Sequence, residues 1–215
     1  MPNNVPAFAN KPKHLCKQIT KWVIPYNITF LFAQTLKNIK VKFEKNQNGH
    51  YIAFITNNNS FVIPDLDINV NFYEDGNIVD TTKDGHDAIL PGYTVVSEFE
   101  SFENFDDAKY DITINWGTSY INHSDYVKLD YNINKSGDVL VSITNNDEEL
   151  IEEIEIIAVF YDKDGNTLGT SWAKDIYDVA SGKTVTEKLY LKDFNNNNKI
   201  EKVKIYINQA HTFWL

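Results

Sequence analysis

Residues 48–60 read NGHYIAFITNNNS, and residues 136–148 read SGDVLVSITNNDE. In both, a turn glycine (Gly49, Gly137) stands at the same distance before the tetrapeptide ITNN, at Ile55–Asn58 and Ile143–Asn146. The likeness continues downstream. INVNFYEDGNIVDT (Ile68 to Thr81) matches IIAVFYDKDGNTLGT (Ile156 to Thr170), with one extra residue in the turn of the second copy. AILPGYTVVSEFE (Ala88 to Glu100) matches YDVASGKTVTEKLY (Tyr177 to Tyr190), and YDITINW (Tyr110 to Trp116) matches VKIYINQ (Val203 to Gln209). Matching blocks in one order are the mark of an internal duplication.

The blocks carry the period of strands. Ile39, Val41 and Phe43 alternate with polar residues, as do Leu129, Tyr131 and Ile133. Tyr110, Ile112 and Ile114 alternate, as do Val203, Ile205 and Ile207. Period-two alternation predicts strands with one wet and one buried face. Asp75-Gly76 and Asp164-Gly165 lie between apolar runs, where Asp-Gly supports tight hairpins. Pro91-Gly92 and Ser181-Gly182 predict a further turn in each copy, and ESFENFDDAK (100–109) predicts a short turn of helix. One sheet alone leaves an apolar face bare, so two sheets must pack together. The expected fold is all-β: two tandem immunoglobulin-like antiparallel β-sandwiches. The expected organisation is an N-terminal extension with an extra strand over 1–35, a first sandwich over 36–117 and a second over 118–215. The join falls in the polar stretch Gly117 to Asp125.

The chain has 215 residues, of which 42% are hydrophobic and 13% aromatic, ample for packed cores. Its formal net charge of −10 and pI near 4.9 disfavour nucleic acid and anionic membranes as partners. Cys16 is the single cysteine, so an intramolecular disulfide and a Cys-rich zinc site are excluded. The apolar stretch Trp22 to Ala33, WVIPYNITFLFA, is interrupted by Pro25 and Asn27 and is too short to span a bilayer. Its alternating Ile28, Phe30 and Phe32 read as a strand.

Chemistry-bearing motifs are sparse. Counted as a calcium loop from Asp162, the twelfth position holds Ala173 where a bidentate Glu is needed; from Asp193 it holds Lys204. Both read as turns. His14, His50, His86, His123 and His211 form no H-x-H or H-E-x-x-H pattern, and KDGHDA around His86 reads as a solvated loop. No G-x-S-x-G, G-x-G-x-x-G or Walker pattern occurs. The run Asp147, Glu148, Glu149, Glu152 and Glu153 reads as a solvated edge or loop that discourages edge pairing. Trp116, at the end of an alternating strand, reads as core. Trp172 and Trp214 are the residues singled out for ligand or partner contact, with Tyr120 a further aromatic in the set.

AVFYDKDGNTLGTSW (Ala158 to Trp172), followed by VASGKTVTEKLYL (Val179 to Leu191), resembles the FxLYD family of small bacterial domains. The resemblance rests on Tyr161-Asp162, the Asp164-Gly165 turn, Gly169-Thr170 and the Ser181-Gly182-Lys183-Thr184 turn. Ala158 and Phe160 replace the family's Phe and Leu, and the first copy reads Val70, Phe72, Tyr73, Glu74 there. The resemblance implies immunoglobulin-like sandwiches on Gram-positive surfaces, generally without known enzymatic activity. It covers most of the second copy, less of the first, and none of 1–35. The expected role is a non-enzymatic interaction or spacer module of a bacterial extracytoplasmic or surface protein. It has no catalytic residues, cofactor or metal, and its partner is a protein or cell-surface component. Two alternatives stand beside it. One is a subunit of a fibre or secreted assembly, joined by N-terminal strand addition. The other is a carbohydrate-binding module using exposed aromatics.

Overall fold

The computed structural model describes residues 36–116, 121–134, 137–191 and 200–212. The expected strand Ile28 to Ala33, Cys16, Tyr120, Trp214 and the Asp193 loop lie outside them. The first half contributes β1 (Ile39–Lys45), β2 (Tyr51–Asn57), β3 (Ile63–Glu74), β4 (Asn77–Ile89), β5 (Thr94–Phe99) and β6 (Asp107–Ile114). The second contributes β7 (Ile121–Asn122), a 3-10 turn at Ser124–Tyr126, β8 (Val127–Ile133), β9 (Val139–Asn145), β10 (Ile151–Tyr161), β11 (Thr167–Val179), β12 (Thr184–Leu189) and β13 (Lys202–Thr212).

The chain is all-β and its sheets are antiparallel. They run β1-β2-β5, β4-β3-β6, β12-β9-β8 and β11-β10-β13-β7. The first two sheets enclose one cluster that includes Ile55, Leu66, Ile68, Val70 and Phe72. The other two enclose a second, with Ile143, Ile154, Ile156, Ala158 and Phe160. Strand for strand, the halves have the same order, and among the described residues β7 is an additional strand of the second.

The recurring ITNN has a physical cause. Asn57 and Asn145 are fully buried at the end of the second strand of each half. The Asn57 side-chain amide donates to Phe61 O (2.9 Å) and Ile89 O (2.8 Å), and its carbonyl accepts from Asn59 N. Asn145 donates to Glu149 O (2.8 Å) and Val179 O (2.7 Å) and accepts from Asp147 N. One asparagine thus ties the following loop to the fourth strand, and its backbone carbonyl takes the N–H of Gly92 or Gly182. Those glycines have φ of 80° and 69°, a region that favours residues without Cβ. Ala88 and Asp178, just before the bonded carbonyls, share positive φ as well.

Several expectations change. The pairings β3–β6 and β10–β13 place Tyr110 opposite Val70 and Ile205 opposite Ala158. Tyr110 therefore corresponds to Ile205, and the last block is displaced from its sequence match by two positions as far as Ile112 and by three from Thr113 on. Residues 100–106 form bends, and β6 starts at Asp107, so no helix forms there. His86 lies on β4 opposite Leu66, buried, in the place Ile176 holds opposite Ile154. Trp116 is 45% exposed and meets the Phe61 ring at 6.2 Å, because it stands beyond the last paired residue of β6.

Candidate functional site

A third apolar cluster joins the halves: Ile52 and Phe54 of β2, Val96 of β5, and Ile157, Val159 and Tyr161 of β10, with Trp172 and Tyr206 against it. These side chains lie on the faces turned away from the two cores. The outer face of β1-β2-β5 therefore packs on the outer face of β11-β10-β13, and the four sheets stack as layers. The contact is head-to-tail, since the sheets that meet are not equivalent copies. Its residues explain why. Where β10 presents Ile157 and Val159, β3 presents Asn69 and Asn71. Where β2 and β5 present Phe54 and Val96, β9 and β12 present Ser142 and Thr186. Apolar side chains thus stand at the centre of the two faces that meet, and polar ones at the matching positions of the two that remain outside.

Hydrogen bonds fix the register of the seam. Between Glu155 and Ile156 the β10–β13 ladder shifts by one residue, which leaves Asn208 as the extra residue of a bulge on β13. The bulge turns the Asn208 amide onto β5, where its carbonyl accepts from Val96 N (2.9 Å) and its NH2 donates to Val96 O (2.7 Å). Thr167 Oγ1 donates to Glu44 (2.7 Å), Asn122 Nδ2 to Ala88 O (2.6 Å) and Tyr93 OH to Asp125 (2.7 Å). Burial, followed by the bond to Asp125, pushes the Tyr93 hydroxyl pKa up to about 12.

At the margin of this seam lies a cleft of about 500 Å³, lined from both halves. His50, Glu98 and Glu100 come from the first, and Thr170, Trp172, Lys188 and Tyr190 from the second. A neighbouring hollow of about 390 Å³ shares His50, Glu98, Glu100 and Trp172 and adds Asp84 and Lys174. Trp172 is half-buried, with the Lys174 ammonium 4.1 Å from its ring centroid. His50 Nδ1 stands 3.1 Å from Glu98, and Nε2 stands 3.4 Å from Glu100. Glu98 also accepts from Asn46 Nδ2 (3.1 Å) and, across the seam, from Thr170 Oγ1. Both Glu98 oxygens are thus engaged, and through Thr170 this carboxylate tethers the two halves. The cleft therefore offers the aromatic side chains of Trp172 and Tyr190 edged by separate positive and negative groups, a surface suited to recognition.

His86 lies just behind this wall, with Nε2 2.7 Å from Ser97 Oγ and 3.8 Å from Asp84. Burial lowers its pKa to about 4, against the opposing pull of Asp84. The first acid of the 147–153 run is likewise no loose loop charge. Asp147 accepts from His123 Nδ1 at 2.7 Å, which holds its carboxyl below the usual range. Asp162 binds backbone donors of its own turn, from Asp164 N (2.9 Å) and Asn166 N (2.8 Å), as a hairpin residue does. Among the described residues no group of three or more His, Cys, Asp or Glu is placed to hold a metal ion, and no helix is long and apolar enough to cross a membrane.

Of the two tryptophans singled out from sequence, Trp172 lines the cleft and Trp214 lies outside the described residues. His50, Glu98 and Asn208 carried no sequence signal. No family model and no curated protein matches the chain.

Proposed function

We propose that the chain is a non-enzymatic interaction or spacer module of a bacterial surface or extracytoplasmic protein, built from two immunoglobulin-like sandwiches locked into one unit. The observation that carries the reading is the seam. Apolar side chains are concentrated on the two faces that meet, and an asparagine bulge pins them. A module that transmits position needs such a fixed joint, because relative motion is the default between domains in one chain. The partner-contact surface is the cleft around Trp172, which exists only while the halves are docked. The polar-aromatic lining fits a protein segment or a surface component, and the committed hydrogen bonds of Glu98 fit a binding role.

The test pairs binding with activity. The full chain and its Trp172→Ala variant are incubated with washed Gram-positive cells and with purified cell-wall polysaccharide, and retention is measured. Retention on cells that drops at least tenfold in the variant is the expected result. Retention on polysaccharide alone redirects the reading to a carbohydrate-binding module. Hydrolase or transferase turnover abolished by Glu98→Gln or Glu100→Gln overturns it.

A further inference from the structure

Two adjoining hollows lie on the seam at the other end of β2 and β5 from the Trp172 cleft. Tyr93 and Thr94 of the first half line one of them, of about 340 Å³, together with Leu129, Ile205, Tyr206 and Ile207 of the second. Ile205 and Ile207 pack on the core of their own half, whereas Tyr206 packs on the seam. Consecutive strand residues point to opposite faces, so a hollow lined by all three opens on the edge of β13. That edge is in use at both ends. β7 pairs antiparallel with His211 and Thr212, and His123 N donates to Ala210 O at 2.7 Å. At the other end Tyr131 OH donates to Val203 O at 3.1 Å. Between these bonds, from Lys204 to Gln209, β13 carries no strand on this side among the described residues. Thr94 and Tyr206 also line the second hollow, of about 310 Å³, which holds Lys40, Lys42 and Lys204. Lys42 pairs with Glu44, which also accepts from Thr167 Oγ1. Lys40 and Lys204 pair with no acid among the described residues.

We infer that this edge of β13 takes an extended segment of a partner protein in which acidic and apolar residues alternate. The segment adds as a strand beside β13. Its acidic side chains point to the seam side and meet Lys40, Lys42 and Lys204. Its apolar side chains point the other way and cover Leu129, Ile205 and Ile207. Strand addition draws affinity from main-chain hydrogen bonds and specificity from the alternate side chains. Two observations favour this occupant. The first is charge: three ammonium groups face one carboxylate in a chain of net charge −10. The site calls for an anion while the rest of the surface repels a long polyanion, so a few carboxylates spaced by apolar residues fit it. The second is continuity. β7 already adds to the same edge, and the apolar seam runs on into the groove through Tyr206, whose ring centroid is 5.8 Å from that of Phe54. The two hollows share no lining residue with the Trp172 cleft, so this site is independent of the cleft's role.

The probe is a fluorescein-labelled hexapeptide alternating glutamate and valine, amidated at its C-terminus. Its polarisation is titrated with the full chain at low salt, beside a counterpart with glutamine for glutamate. The glutamate peptide should bind at least tenfold more tightly, and combining Lys40→Gln with Lys204→Gln should remove that advantage. Both lysines are exposed, and circular dichroism should show the double variant folded. N-methylation tests the strand. Methylating the valine amides in one peptide and the glutamate amides in another should cost at least tenfold in one of the two, because only one set faces β13. Equal binding of the glutamate and glutamine peptides, or an affinity unchanged in the double variant, overturns the inference. Binding kept by both methylated peptides overturns it by reducing the site to an anion sink, and so does a titration that shows no saturation up to about 1 mM.

Discussion

Replacing Asn145 by alanine removes the most heavily used side chain in the second half. Two donated bonds to Glu149 O and Val179 O and one accepted from Asp147 N disappear together. At a net of about 1 kcal/mol for each bond, the direct loss is ~3 kcal/mol. Glu149 is exposed, so water can reach its carbonyl, whereas Val179 is buried and its carbonyl is stranded. A stranded buried acceptor adds roughly 1–2 kcal/mol, for a total of ~4–5 kcal/mol. That is a third or more of the stability of an ordinary domain. Urea unfolding followed by tryptophan fluorescence and far-UV circular dichroism measures it. Asn57→Ala should cost a similar amount, because Asn57 makes the same bonds to Phe61 O and Ile89 O. Asn145→Asp sharpens the test. It keeps the acceptor for Asp147 N but turns a carboxylate oxygen toward two carbonyls, which raises the folded-state pKa above the ordinary value. The variant should therefore regain stability as pH falls through that raised pKa and lose it again as pH rises. A cost below about 1 kcal/mol for Asn145→Ala, or an Asp variant indifferent to pH, refutes the reasoning.

Three further outcomes follow from the same structure. His86 has a folded pKa near 4 against an unfolded value of about 6.5, so the unfolded chain binds the proton more tightly; stability should fall by about 3 kcal/mol between those pH values, and His86→Gln should flatten this slope in urea titrations from pH 7 to 4. Ile157→Asp puts an unpaired carboxylate into the fully buried seam, and small-angle scattering should show a larger radius of gyration while the β-sheet circular dichroism persists. Gly92→Ala forces a Cβ onto a backbone with φ of 80° where space is open, so thermal unfolding should report a loss of about 1 kcal/mol from backbone strain alone.

Much of the architecture is legible in the sequence, because duplication and alternation are local signals. The alternation of β6 and β8 and the turn glycines 49, 76, 137 and 165 all correspond to elements in the structure. The repeated asparagine also has a local meaning, since it bonds to a loop four residues away. The seam left a fainter trace. Ile156 to Tyr161, IIAVFY, is a continuous apolar run where its counterpart INVNFY alternates. A continuous run marks a strand buried on both faces, and this one is. The bulge at Asn208 is invisible, because one inserted residue in a strand looks like ordinary alternation until the partner's register is known. The slip of two positions in the last block has a different source, the strict alternation that makes Ile205 and Ile207 equally good matches for Ile112; the bulge adds one further position from Thr113 on. His86 was misread for a related reason. Its polar neighbours suggest a loop, yet it faces the interior opposite Leu66. Of the site, Trp172 was legible as an aromatic beside a hairpin; its companions His50, Glu98 and Glu100 come from the other half and meet it only through the head-to-tail docking.

The central claim is that the two halves form one rigid body. Residual dipolar couplings of backbone amides in a weakly aligned sample test it most directly, with alignment tensors fitted separately to residues 39–114 and 127–212. The account predicts tensors equal in magnitude and orientation, and their divergence in Ile157→Asp. Tensors that already differ in the unsubstituted protein contradict it.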